Sequence, residues 1–172
     1  MNKNTSCDAS VLINFLKIDR IDLLEKCSHS FFITDHVEEE ISTCYPNQKS
    51  CLESGLKNNS LQKICVDSFE EIALFADLNR SGQLGAGECA AIAVASHRGY
   101  YLAIDDNQAI KKTIGLLEPH FVLRTQDLIC LMIQEQILEI EAADQLIEMW
   151  ATQHRFKLNI RSFSELFNPS RS

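Results

Sequence analysis

The chain has 172 residues, 45% of them hydrophobic, with only six Gly and three Pro, which describes one ordinary domain with enough apolar content to fill a core. Sixteen Lys and Arg against 24 Asp and Glu leave a net charge of −8. That balance argues against broad, non-specific duplex binding, but it leaves room for a nucleic-acid enzyme whose acids hold metal ions. Met1-Asn2-Lys3-Asn4-Thr5-Ser6 is too short and polar for a signal peptide, and no apolar run reaches the ~20 residues of a membrane helix. A cytoplasmic protein without membrane contact is expected.

Thr5-Ser6-Cys7 reads as a short first strand, more polar than a central strand should be. Asp8 opens an amphipathic helix with Val11, Leu12, Phe15 and Leu16 on one face. A second short helix follows with Ile21, Leu23, Leu24 and Cys27, then a strand at Ser30-Phe31-Phe32-Ile33-Thr34. Asp35 with Glu38 has the spacing of a capping box and starts a helix carrying Val37, Glu40, Ile41 and Cys44. Tyr45 to Ser60 is polar and reads as loop. Leu61 to Val66 reads as a strand, and Ser68-x-x-Glu71 caps a helix with Ile72, Leu74, Phe75 and Leu78.

Leu84-Gly85-Ala86-Gly87-Glu88 then leads into Cys89-Ala90-Ala91-Ile92-Ala93-Val94-Ala95, a helix apolar on every side and therefore buried all round. Tyr100 to Ile104 is an uncharged aromatic and β-branched run, the pattern of a buried strand. It stops at Asp105-Asp106, and a helix with Ala109, Ile110, Thr113 and Ile114 follows. His120 to Leu123 reads as a last strand, Thr125 caps a helix to Ile137, and Glu141 to His154 forms another; Phe156 to Phe167 has no decisive pattern. Strands alternating with helices predict a parallel sheet covered on both faces, an α/β fold.

The seven cysteines, Cys7, Cys27, Cys44, Cys51, Cys65, Cys89 and Cys130, form no Cys-x-x-Cys pair, so neither a zinc knuckle nor a thioredoxin motif is present. Reduced thiols are expected. His36, Glu40 and Cys44 recur every four residues on one helix, a spacing that can bind zinc, although one helix rarely supplies a whole site.

The acids carry the functional argument. Asp8, Asp105 and Asp106 each precede a helix, where an ordinary N-cap is the bland reading. Glu40 lies in a run with Glu38 and Glu39 that a solvated helix face also explains. Glu88 sits where the helix dipole favours an anion, yet it leads a wholly apolar helix and so points into a cleft. Four like charges in one pocket would raise one another's pKa values, and divalent cations relieve that. An all-oxygen set suits Mg²⁺ or Mn²⁺, which serve phosphodiester cleavage.

Asp8-Ala-Ser-Val-Leu-Ile, Val37-Glu-Glu-Glu40-Ile, Leu84-Gly-Ala-Gly-Glu88-Cys-Ala-Ala-Ile-Ala-Val-Ala and Leu102-Ala-Ile-Asp105-Asp106-Asn-Gln-Ala, in this order, resemble a PIN-domain nuclease of the VapC-like subgroup with a Gly-Glu third acidic motif. The motifs cover roughly residues 4 to 125, leaving a helical extension to residue 172 within one domain. The resemblance implies a three-layer α/β/α fold and a metal-dependent endoribonuclease cleaving single-stranded RNA. It implies catalytic acids at Asp8, Glu40, Glu88 and Asp106, with Asp8, Glu88, Asp105 and Asp106 around Mg²⁺ or Mn²⁺. Asp105 and Asp106 both stay open as the main ligand, as does Glu39 in place of Glu40. The family further implies the toxin of a type II toxin–antitoxin pair, whose antitoxin peptide often occupies the acidic cleft. Lys111, Lys112 and Arg98 are the basic residues nearest these motifs and the candidates for gripping RNA, against a plain surface role. The apolar stretch Leu128 to Ile140 fits a homodimer.

Two other classes compete. A non-catalytic PIN-like module would bind nucleic acid or protein without turnover. A phosphoacceptor receiver domain would place its acid pair after the first strand and a Lys after the last, which His120 to Arg124 lacks.

Overall fold

The computed structural model describes residues 3–167. Five strands, β1 (Lys3–Cys7), β2 (His29–Thr34), β3 (Gln62–Ile64), β4 (Tyr101–Ala103) and β5 (Val122–Leu123), form one sheet in the order β3-β2-β1-β4-β5. Every pairing is parallel, with Thr5 of β1 opposite Phe31 on one side and Tyr101 on the other. The helices are α1 (Ala9–Lys17), α2 (Asp22–Glu25), α3 (Asp35–Cys44), α4 (Lys49–Lys57), α5 (Phe69–Arg80), α6 (Ala86–Arg98), α7 (Asn107–Lys112), α8 (Thr125–Gln134), α9 (Ile140–Gln153) and α10 (Ser164–Phe167).

This strand order has a functional consequence. The chain builds β1, β2 and β3 outward in one direction, then returns to lay β4 and β5 on the other side of β1. Parallel sheets that reverse in this way open a crevice at the carboxyl ends of the two strands flanking the reversal. Here those strands are β1 and β4, and the residues just past them are Asp8 and the Asp105-Asp106 pair.

Apolar packing divides into two clusters, as a three-layer α/β/α sandwich requires. One joins α1, α3, α8 and α9 through Leu12, Phe15, Ile41, Ile129 and Trp150; the other joins α6, β4 and α7 through Ile92, Leu102, Ile104 and Ala109. As its sequence predicts, α6 is buried on all sides, with Cys89 through Ala95 inaccessible to solvent. The chain leaves α6 through Gly99 at φ 64°, a left-handed position that glycine takes without strain.

The polar composition of β1 has a specific answer. Thr5 and Ser6 are fully buried, and the Thr5 hydroxyl hydrogen-bonds His29 Nδ1 on the neighbouring strand at 2.7 Å. The residues 45–60 are not a loop: Pro46–Gln48 form a 3₁₀ turn and α4 follows. Its inward stripe, buried Leu52 and Gly55 with half-buried Cys51 and Leu56, is short, and Pro46, Gly55 and Asn58-Asn59 mask it in the sequence. A Cβ on Gly55 would lie 3.1 Å from Ile21, so the glycine permits close contact with α2.

Helix starts move by one residue in two places. Thr34, not Asp35, caps α3 by accepting from Val37 N–H, while Glu38 pairs with Lys63 at 2.6 Å. Thr125 is the first residue of α8 rather than its cap, because its hydroxyl is used elsewhere. The last strand shrinks to Val122–Leu123 behind a 3₁₀ turn at Pro119–Phe121, and α8 ends at Gln134. Its apolar residues Leu128, Ile129 and Met132 are buried within the chain. All seven cysteines are free thiols, and no described helix is long and apolar enough to cross a membrane.

Candidate active site

Asp8 ends β1 and begins α1, so the backbone sets it at the crevice before its side chain does anything. It is 1% exposed. Its Oδ2 accepts from Ser10 N–H at 2.9 Å and from the Ser10 hydroxyl at 2.5 Å, the N-cap that the sequence allows. Its Oδ1 is buried and has no hydrogen-bond partner among the described residues. The hydroxyls of Ser6 and Ser96 share that condition, but an orphaned carboxylate oxygen shares a full charge and is far costlier to leave unmatched. Burial, with the Asp106 carboxylate nearby, pushes the Asp8 pKa above the usual carboxylate range.

Three more acids face the same crevice. Glu88, in the first turn of α6, accepts from Gly85 N–H at 2.9 Å. Burial raises its pKa, and Asp8, Asp106 and Glu40 add to the rise. Glu40 on α3 is likewise raised by burial and by Asp8; its neighbour Glu39 is exposed. A Cβ on Gly85 would sit 3.8 Å from Glu88 Oε2 and 3.9 Å from Glu40 Oε2, so the two carboxylates converge on one point. Gly87 is tighter still, since a Cβ there would come within 2.5 Å of Glu40 Oε2. The Gly-x-Gly-Glu run is therefore a cradle that lets α3 bring Glu40 against the start of α6. Asp106 caps α7, and both capping bonds, from Gln108 N–H at 2.7 Å and Ala109 N–H at 2.8 Å, fall on Oδ1. Oδ2 takes no hydrogen bond among the described residues.

Asp105 faces elsewhere. Its Oδ1 accepts from Thr125 N–H at 3.0 Å, and its Oδ2 accepts from the Thr125 hydroxyl at 2.5 Å and from Asn14 Nδ2 at 3.0 Å. Burial raises its pKa against these hydrogen bonds. The adjacent acids thus divide: Asp106 faces the other carboxylates, while Asp105 ties β4 to α1 and α8. Ser10 is the joint, donating its hydroxyl to Asp8 and accepting from Asp105 N–H at 3.0 Å. Sequence reading assigned no role to Ser10 or Asn14 and gave Thr125 only that of a helix cap. Ser10 falls inside the first motif, two residues after the acid, and that position was the available signal.

The sequence-predicted basic residues do not join this cluster. Arg98 lies ten residues beyond Glu88 on α6, about 15 Å along a helix rising 1.5 Å per residue. Its guanidinium donates to Glu71 Oε1 at 2.6 Å and Oε2 at 2.9 Å, and to Asp67 and the Cys65 carbonyl. Arg98 is committed to holding α5 on α6 and is unavailable to RNA. Lys111 and Lys112 occupy the last turn of α7, the end remote from Asp106. His36, Glu40 and Cys44 border one groove, but His36 turns to Asp35 and packs on Phe75.

Among the described residues no three His, Cys, Asp or Glu side chains stand in ready-made ligating contact; the acids converge without closing a coordination sphere. The donor set nonetheless fits a hard divalent cation. It is all carboxylate oxygen, none of these acids takes an ion pair among the described residues, and it contains a buried Oδ1 with no hydrogen-bond partner among them. Asp8, Glu88 and Asp106 are the residues that would hold such an ion, with Glu40 beside them.

A parallel sheet with a topological reversal, and acids gathered at that reversal, define an α/β protein with an acidic crevice at its switch point. The pattern of the PIN-domain family matches residues 5–163, and the chain belongs to that family. It is therefore a nuclease-type module of a family that typically uses divalent metal ions. The crystal structure of PAE2754 from Pyrobaculum aerophilum is similar, with a TM-score of 0.53 at 17% identity, over 77% of this chain and 90% of that one. At that identity the likeness speaks for the fold alone. No curated protein matches.

Proposed function

We propose that this protein is a Mg²⁺- or Mn²⁺-dependent endoribonuclease that cleaves single-stranded RNA. The observation that carries this reading is the Asp8 carboxylate, buried with an unmatched oxygen and facing three further acids. A divalent cation bound there supplies charge neutralisation and an activated water for phosphodiester hydrolysis. The chain's own residues do the rest. Asp8 is held by Ser10 in one rotamer, Glu88 is fixed by the Gly85 amide, and Asp106 is fixed by two amides of α7. Glu40, raised in pKa by burial and by Asp8, is suited to exchange a proton with the reacting water. Fixed carboxylates need no reorganisation when charge develops, which is where most of such a site's advantage lies.

The test is cleavage of single-stranded RNA in Mn²⁺ or Mg²⁺ by the parent and by Asp8→Asn and Asp106→Asn. Loss of about two orders of magnitude or more in each variant is expected. Activity surviving both substitutions and EDTA would sink the assignment.

The VapC-like toxin role, a cytoplasmic site of action and a cognate antitoxin rest on the motif resemblance. Induction of the parent should arrest growth while Asp8→Asn does not, and co-expression of a small upstream partner should restore growth. A homodimer is supported by Phe69 and Ile72, which stand 82% and 50% exposed on α5. Light scattering of the purified chain decides it, a monomeric mass counting against.

A further inference from the structure

Between the end of α9 and α10 the chain runs as an irregular strap from His154 to Phe163, the stretch whose sequence pattern is indecisive. The structure resolves it into an alternation. Phe156, Leu158 and Ile160 turn inward and pack on the core, while Arg155, Lys157, Asn159 and Arg161 are exposed. In a chain of net charge −8, this strap holds three cations and no acid. Arg155, Lys157 and Arg161 take no ion pair among the described residues. Six other Lys and Arg residues do, Lys63 and Arg98 among them.

The strap is pinned at both ends. Phe156 N–H donates to the Trp150 carbonyl at 3.1 Å and its ring packs on Trp150. Phe163 is buried, with its N–H on Asp144 Oδ1 at 2.8 Å, and the Ser162 hydroxyl is on Asp144 Oδ2 at 2.6 Å. Arg161 N–H donates to Glu165 Oε1 at 3.2 Å. The strap forms one wall of a groove of about 520 Å³ lined by Asn107, Arg124, Gln126, Phe156, Lys157 and Asn159, with Asp105 at its edge. Asp105 and Asn107 flank Asp106 in the chain, so the groove begins one residue from the acidic cluster, whose own carboxylates do not line it. Arg124 is held toward Asn107 Oδ1 at 2.7 Å.

We infer that this strap and groove bind the sugar–phosphate backbone of the single-stranded RNA. Lys157 and Arg124 take phosphates beside the acids, and Arg155 and Arg161 extend the track. The inference rests on the ribonuclease reading above. Cations, amides and a preset backbone give charge contact and polar positioning without a base-reading surface, so the grip is independent of sequence. Arg155 holds φ 55° just past the end of α9, where glycine is the unstrained residue.

The test uses full-length protein in an Asp8→Asn background and a fluorescein-labelled oligouridylate or oligoadenylate, read by anisotropy in Mg²⁺ buffer. Arg155→Gln, Lys157→Gln and Arg161→Gln together should weaken both oligonucleotides about tenfold. They should also make the slope of log affinity on log salt shallower by about two, three phosphates at ~0.7 each. A charge-matched set, Lys26→Gln, Lys49→Gln and Lys57→Gln, should leave both quantities near the background values. Arg155→Gly should melt higher than its parent and still bind more weakly, which separates lost contact from lost fold. Unchanged affinity and slope in the strap variant, or equal losses in the control set, overturn the strap while RNA cleavage by the parent leaves the ribonuclease reading standing. A parent that neither cleaves nor binds RNA removes both.

Discussion

Asp8 concentrates the conflict at the residue scale. Its folded-state pKa lies above its ordinary value, as do those of Glu40 and Glu88. In the interval above the ordinary carboxylate range the folded chain therefore holds more protons than the unfolded one. By linkage, this cluster's contribution to stability falls as pH rises through that interval and is most favourable below it. Removing one charge should then stabilise the metal-free protein. Asp8→Asn, which keeps an equally good N-cap, should raise stability at pH 7 in EDTA by about 1–2 kcal/mol, measured by chemical denaturation. Mn²⁺ should raise the melting temperature of the parent through binding to the folded state alone and leave Asp8→Asn nearly unmoved. A destabilised Asp8→Asn protein would contradict this account.

The division between Asp105 and Asp106 is also a residue-scale result. The sequence put two equal carboxylates side by side, and successive residues in a turn point apart, so only one could face Asp8. Which one was decided by Thr125 and Asn14, residues 20 and 91 positions away from Asp105 in the chain. Thr125→Val should remove one of the three hydrogen bonds that hold Asp105, destabilise the protein by about 1–3 kcal/mol, and lower activity indirectly by loosening the turn that presents Asp106. Stability and RNA cleavage measured together check this.

At the scale of elements, α6 does two jobs with its two ends. Its N-terminus carries the Gly85-x-Gly87-Glu88 cradle, and its C-terminus carries Arg98. Gly87→Ala inside a helix would ordinarily help by about 1 kcal/mol, but the new Cβ meets Glu40 Oε2 at 2.5 Å and Val37 Cγ2 at 3.3 Å. The carboxylate is the movable end of a flexible chain, so it should swing away. Near-parental stability with activity reduced tenfold or more is expected; full activity would show that Glu40's position does not matter.

At the other end, Arg98 holds Glu71 down to about 2, chiefly by direct hydrogen bonds. Glu71 is 2% exposed while the Arg98 side chain is 24% exposed, so the pair is only partly shielded from water. Arg98→Gln should cost about 2–3 kcal/mol at pH 7 by leaving a buried carboxylate without its partner. Because the folded pKa is depressed, the pair's contribution is present above the ordinary Glu range and fades as pH falls toward about 2. The gap in stability between parent and Arg98→Gln should close over that window, followed by denaturation at a series of pH values.

For the whole molecule, the sheet order matters more than any single motif. Placing β1 between β2 and β4 brings Asp8, from the start of the chain, beside Asp106 from its second half. The helices α3 and α6 pack together over the same end and deliver Glu40 and Glu88. The strap after α9 then brings residues 156–159 to a groove that Asp105, Asn107 and Arg124 also line.

Much of this was legible in the chain alone. The alternation of apolar strands with helical periods reports the parallel α/β architecture, because burial on two faces demands it. Asp8, Glu88 and Asp106 stood at strand ends or helix starts, positions that local patterns report, whereas Glu40 lay within a run of three Glu on α3. What local patterns lack is direction and distance. They made Tyr45 to Ser60 a loop, because Pro46, Gly55 and Asn58-Asn59 read as breakers and hid the short stripe of α4. They offered Arg98 to RNA, because an ion pair to Glu71, 27 residues away, leaves no local trace. They left the C-terminal strap unread, because its alternation has meaning only once Trp150 and Asp144 pin it to the core. The chain alone specified the fold class and named the candidate acids, whereas only the packed structure fixed which of them face one another and which cations, such as Arg98, are already paired. The reason is physical: periodicity records how a segment is buried, and only the packed chain sets the contacts between segments.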